Sequence, residues 1–159
     1  MKLRLVCVGK LTEPWQREAA DEYAGRLQRY CPLELVELKE EKGGRKGDIR
    51  GLLKREGERI LEKVPAQARL VVLDEKGRQL SSEALAEELA REMLHGGRDW
   101  CLVIGGPYGL SPDVRNRADL LLSLSRMTLT HQMARIFLLE QLYRGSTINR
   151  NEPYHNRSL

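Results

Sequence analysis

LVIGGPYGLS, from Leu102 to Ser111, is the stretch whose reading decides the fold. An apolar strand runs into Gly105, Gly106 and Gly109, which leaves backbone amides bare and lets a ligand approach the main chain closely. Downstream, SLSRMTLTHQMARIFLLEQLYR spans Ser123 to Arg144, and its first part, Ser123 to Thr130, sets hydroxyls and backbone donors directly before a strongly apolar helix. Two such loops at the ends of neighbouring strands form a ligand crevice. Nucleotide-binding α/β folds usually carry theirs after the first strand, whereas here it falls in the last third of the chain.

Outward from these loops, apolar runs alternate with helical periodicity. Lys2 to Gly9, Leu33 to Leu38, Arg69 to Asp74, Trp100 to Gly106 and the short LLLSL run read as strands. The helices begin near Trp15, after Asp48, after Ser81 or Ser82, after Ser111 with Pro112 first, and near His131, the last of them ending about Gly145. Gly96 reads as the residue that ends the third helix. Asp74 to Gly77 reads as the end of a strand followed by a loop. Five strands alternating with five helices predict an α/β fold with a mainly parallel sheet and helices on both faces, its ligand beyond the strands' carboxyl ends.

With 159 residues, the chain fits one domain over 1–159 that buries about two thirds of its unfolded surface. At 41% hydrophobic and 31% charged it reads as an ordinary soluble protein, and no apolar run reaches the ~20 residues of a membrane span. No signal peptide is evident, so a cytoplasmic location is expected. Cys7, Cys31 and Cys101 have no CxxC spacing and read as buried structural thiols. From Leu124 onward, Arg126, Arg135, Arg144, Arg150 and Arg157 face only Glu140 and Glu152, so most of the formal charge of +4 lies around the ligand loops. A second basic run spans Lys42 to Arg50. Basic segments of this kind suit phosphate backbones.

Several chemistries are excluded by what is missing. CVGKL lacks the spacing of a P-loop, GKLTEP is no dinucleotide fingerprint, and there is no HExxH, GxSxG or Cys/His cluster. A dinucleotide-dependent oxidoreductase is disfavoured on the same ground. A non-enzymatic binding factor using the same basic surface is the other rival, and it would need no small-molecule pocket.

Taken together, MKLRLVCVGK, VVLDEKG, IGGPYGLS, SLSRMTLTHQMAR, EQLYR and the tail motif PYH (Pro153 to His155) resemble the SPOUT class of RNA methyltransferases, and more narrowly the RlmH family. The resemblance covers the whole chain. It departs only at Gly145, where alanine is common, and in NRSL after PYH. It implies a C-terminal trefoil knot, a homodimer, S-adenosylmethionine as methyl donor with no metal, and methylation of ring nitrogen 3 of a pseudouridine in large-subunit (23S) ribosomal RNA on the assembled ribosome. By motif, donor contacts fall on Leu73, Gly105, Leu124, Ser125, Arg126, Met127, Thr128 and Leu129. Tyr154 and His155 are implied to order over the active site, reaching the partner subunit's pocket. Deprotonating an imide-like acceptor calls for a base and a cation, roles that suit His155 or Tyr154 and Arg144. His131 is a catalytic base, a site-shaping residue or simply a helix N-terminal residue. There the dipole favours a neutral ring. His95 suits the carboxyl end of its helix.

Overall fold

The computed structural model describes residues 1–43 and 47–156; Gly44, Arg45 and Lys46 of the second basic run, and Arg157 of the tail, lie outside the described residues. Five strands, β1 (Leu3–Val8), β2 (Leu33–Leu38), β3 (Arg69–Gln79), β4 (Trp100–Ile104) and β5 (Leu120–Ser123), form one sheet in the order β2-β1-β4-β3-β5. Every pairing is parallel. Helices α1 (Pro14–Leu27), α2 (Ile49–Glu62), α3 (Ser82–Arg91) and α4 (Pro112–Arg117) make the four crossovers, and α5 (His131–Asn149) follows the last strand.

Strand alternation sorts the core into two layers. Leu3, Leu5 and Cys7 of β1, with Trp100, Leu102 and Ile104 of β4, pack beneath α1, α3 and α5 through Leu27, Leu89, Leu138 and Leu142. The intervening Val6, Val8, Cys101 and Val103 face α2 and α4 through Ile60 and Val114. All three cysteines are free and buried. Asp48, Ser81, Ser111 and Thr130 each cap a helix by accepting the amide three residues on, from Gly51, Ala84, Val114 and Met133.

Three local expectations change. After α3 the chain makes a π-turn over Glu92–Gly96, and the left-handed cap is Gly97 rather than Gly96. The buried Glu92 carboxylate, held by Arg98, occupies the space a Cβ at residue 96 would need. Helix α5 runs on past Gly145, because that glycine lets Leu89 and Ala86 of α3 approach closely instead of ending the helix. Finally, β3 does not stop at Asp74. It bulges and resumes, so that Leu73 and Arg78 both register with Leu122 of β5.

The bulge depends on Gly77. A Cβ there would lie 2.6 Å from the Leu121 carbonyl oxygen. Gly77→Val is therefore expected to separate β3 from β5 and cost about 1–3 kcal/mol, the usual cost of overpacking, read as a lowered urea midpoint with an unchanged slope.

Candidate functional site

The bulge of β3 and the carboxyl ends of β4 and β5 open into a cleft of about 850 Å³. Its floor is apolar, with Leu73 from the start of the β3 bulge and Ile104 and Leu122 from the ends of β4 and β5, and its walls are the glycine loop 105–110 and the loop 124–130. This is where sequence reasoning put the crevice.

Each wall is held by contacts internal to the protein. In the glycine loop Gly106 and Gly109 bridge, the Gly109 amide donating to the Gly106 carbonyl at 3.0 Å, and Gly109 has φ +89°, a conformation open chiefly to glycine. A Cβ on Gly105 would lie 2.7 Å from both the Gly109 carbonyl oxygen and Leu110 Cγ. The glycine there is thus required first for loop closure, which sequence reasoning had assigned to ligand approach. Beneath Gly106 sits Glu56 of α2, 4% exposed, accepting the Glu41 amide at 2.9 Å. Burial raises its pKa. No motif pointed to it.

The opposite wall is fastened to the β3 bulge. Thr128 Oγ1 donates to Glu75 Oε2 at 2.9 Å, and Ser123 Oγ lies 3.1 Å from the Glu75 carbonyl. Ser125 Oγ accepts the Met127 amide at 3.0 Å. On the other flank of the bulge, Arg115 of α4 pairs with Asp74 at 2.8 Å. Leu73, Gly105, Leu124, Ser125, Met127, Thr128 and Leu129 all line the cleft. Arg126 does not. It lines a separate recess with Glu75, Lys76, Gly77 and Gln79.

His131 begins α5 and lines the same cleft. Its Nδ1 is buried without a hydrogen-bond partner among the described residues, and Nε2 lies 3.7 Å from Glu40 Oε1. Burial depresses its pKa below 6.5, against the pull of Glu40 and with a small push from Arg135. The ring is neutral at neutral pH. A cleft with an apolar floor, a neutral imidazole ring in its wall and loops rich in backbone groups fits a nucleoside-like ligand that offers a polar edge and a flat face.

The remaining candidates gather elsewhere. Arg144, Tyr154 and His155 are absent from the cleft lining and meet where the tail folds back on the second half of α5. Arg144 Nε donates to Glu140 Oε1 at 3.0 Å, and Tyr154 Oη donates to the same oxygen at 3.0 Å. Burial first, then this hydrogen bond, pushes the Tyr154 hydroxyl up to about 12, so it keeps its proton. Arg144 Nη1 lies 3.2 Å from His155 Nδ1. A guanidinium can only donate, so Nδ1 accepts, and a neutral His155 carries its proton on Nε2, 2.9 Å from Glu83 Oε1. Tyr143 packs against Tyr154 in a tilted ring contact with centroids 4.5 Å apart, which orders a tail that composition alone would leave frayed.

The basic C-terminal surface is thinner than the sequence implies. Arg135 is 3% exposed and donates to Glu37 at 2.6 Å, while Arg144 is paired with Glu140. His95, on the π-turn, is exposed and takes no part in the cleft.

Because the folded chain holds His131 with a depressed pKa, the unfolded chain binds more protons in the interval between that value and 6.5. Stability from this residue is full above 6.5 and is lost as the pH falls through the folded value. His131→Gln is expected to flatten the stability profile in that interval. In the native protein an NMR titration of the ring should have its midpoint below 6.5, and a midpoint above it would contradict the burial argument.

Residues 1–155 match the family described as Predicted SPOUT methyltransferase. The chain is 57% identical over 157 residues to the Ribosomal RNA large subunit methyltransferase H of Syntrophotalea carbinolica, covering 99% of this chain and 100% of that one. It is 53% identical over 156 residues to the protein of the same name in Geotalea uraniireducens, covering 98% and 100%. Among solved structures, a probable methylase family protein from Haemophilus influenzae Rd KW20 superposes with a TM-score of 0.54 at 14% identity, over 98% of this chain and 70% of that one, a likeness of fold. A parallel α/β sheet with a late glycine loop, matched end to end by such relatives, places this chain in the SPOUT methyltransferases, within the RlmH family.

Proposed function

We propose that this protein transfers a methyl group from S-adenosylmethionine to ring nitrogen 3 of a pseudouridine in large-subunit (23S) ribosomal RNA, on the assembled ribosome. The observation that carries the reading is the single cleft into which Leu73, the glycine loop and the loop 124–130 converge, in a chain whose relatives are named as large-subunit ribosomal RNA methyltransferases. The apolar floor and loop backbones bind and orient the donor. Bound there, the donor supplies an electrophilic methyl on a sulfonium that leaves readily, so catalysis rests on alignment.

The acceptor nitrogen carries a proton that must leave. Neutral His155 offers Nδ1 once Arg144 turns from it toward the RNA, and Arg144 then balances the negative ring. Tyr154, which keeps its proton, serves as a hydrogen-bond donor to a ring carbonyl rather than as a base. Since these three residues lie away from their own chain's cleft, the reading requires a homodimer in which each tail serves the partner's cleft. Support comes from α5, where Met133 and Phe137 expose apolar side chains one turn apart on the helix that joins the cleft to the tail. A second copy covers that face. The crossing of α5 from the β5 edge back beneath β1 and β4 likewise supports reading the last elements as the threaded part of a trefoil knot.

Two measurements test this. Calorimetry should show donor binding by the isolated protein, and mass mapping of ribosomal RNA from cells lacking it should reveal one missing methyl on a pseudouridine. Binding without any missing methyl would defeat the assignment. For the shared site, Tyr154→Phe/His155→Asn should bind donor normally and lose at least the roughly 100-fold typical of a lost acid–base group. Mixing it with Gly105→Val subunits should restore activity if tails act across the dimer, and a mixture that stays inactive would place both parts in one chain.

A further inference from the structure

We infer that Tyr108 is the platform on which the RNA acceptor base stacks as it enters the cleft. This rests on the functional reading above and assigns its substrate side a residue. Tyr108 stands at the tip of the glycine loop, between the bridged Gly106 and Gly109, and lines the cleft while remaining 52% exposed. Its hydroxyl and ring have no partner among the described residues. An unpartnered aromatic on a surface loop contributes little to folding.

The cleft has an inside and a rim. Val103 and Ile104 lead into it buried, and Leu122 is buried on its floor, whereas Tyr108 and Met127, 78% exposed, stand at the solvent side. A donor seated on the floor leaves the rim free, so the second substrate meets the rim. A base whose ring nitrogen is to be methylated must leave its own stack, and an aromatic face returns part of that lost stacking. The turn that carries Tyr108 is closed by its own hydrogen bond, so the ring is presented at small entropic cost.

The test compares Tyr108→Ala, Tyr108→Phe and Tyr108→Leu on ribosomes purified from cells lacking the protein. Alanine and leucine should each lower kcat/KM roughly 10- to 100-fold, the range of one lost base–aromatic stack, while phenylalanine stays within about twofold of wild type. Donor affinity by calorimetry and thermal midpoint should be unchanged in all three. Full activity of the alanine variant, rescue by leucine, or a parallel fall in donor affinity would overturn the assignment. Wild-type protein that binds donor yet methylates no ribosomal RNA would overturn the functional reading, and this one with it.

Discussion

The guanidinium of Arg135 holds the carboxyl end of the sheet to the start of α5. Almost fully buried, it donates to Glu37 of β2 and, at 3.0 Å, to the carbonyl of Gly9 at the end of β1. Gly9 adopts φ +102°, and a Cβ on it would lie 2.7 Å from the His131 ring. One cation therefore ties two strand ends to the helix turn that carries the cleft histidine. Glu37 itself is half exposed, so the arrangement is asymmetric: losing the carboxylate would strand a buried guanidinium, whereas losing the guanidinium would leave Glu37 in contact with water. The neighbouring Cys7 thiol, pushed up to about 12 chiefly by burial, stays protonated and adds no charge.

The cleft is built on a second tier of polar contacts over this anchor. The β3 bulge delivers Asp74 to α4 and Glu75 to the loop 124–130, so that helix and that wall are fastened to one strand. Glu56 joins the loop after β2 to the region beneath the glycine loop in the same way. Preorganised loops of this kind suit a reaction that depends on alignment, since little ordering remains when ligands arrive.

Much of this was legible in the residues. Alternating apolar runs named all five strands, and the caps at Asp48, Ser81 and Ser111 marked helix starts by the shortness of their side chains. The two loops and Leu73 meet in one cleft because parallel strands must end on the same side. What escaped was set by partners distant in sequence. DEKGRQ looks like a turn until β5 pairs with its far end. Gly145 looks like a stop until α3 lies against it. Arg135 looks like surface charge until β1 and β2 close over it. Arg126 belongs to the right loop but faces another recess. The separation of Arg144, Tyr154 and His155 from the cleft is likewise a matter of tertiary placement that no motif encodes.

The strand order also governs when the molecule can be completed. β5 pairs with β3, not with β4 that precedes it, and β4 itself inserts between β1 and β3. Pairings of such long sequence separation form slowly, since loop closure is entropically costly before contacts reward it. During vectorial synthesis β1 and β2 can pair early, while β1 waits for β4 as its second neighbour and β3 for β5. The loop 124–130 and α5 emerge after every strand. A nascent chain thus leaves open sheet edges exposed until its final quarter appears, which makes early release, more than later unfolding, the stage at which this fold is vulnerable to edge-to-edge association.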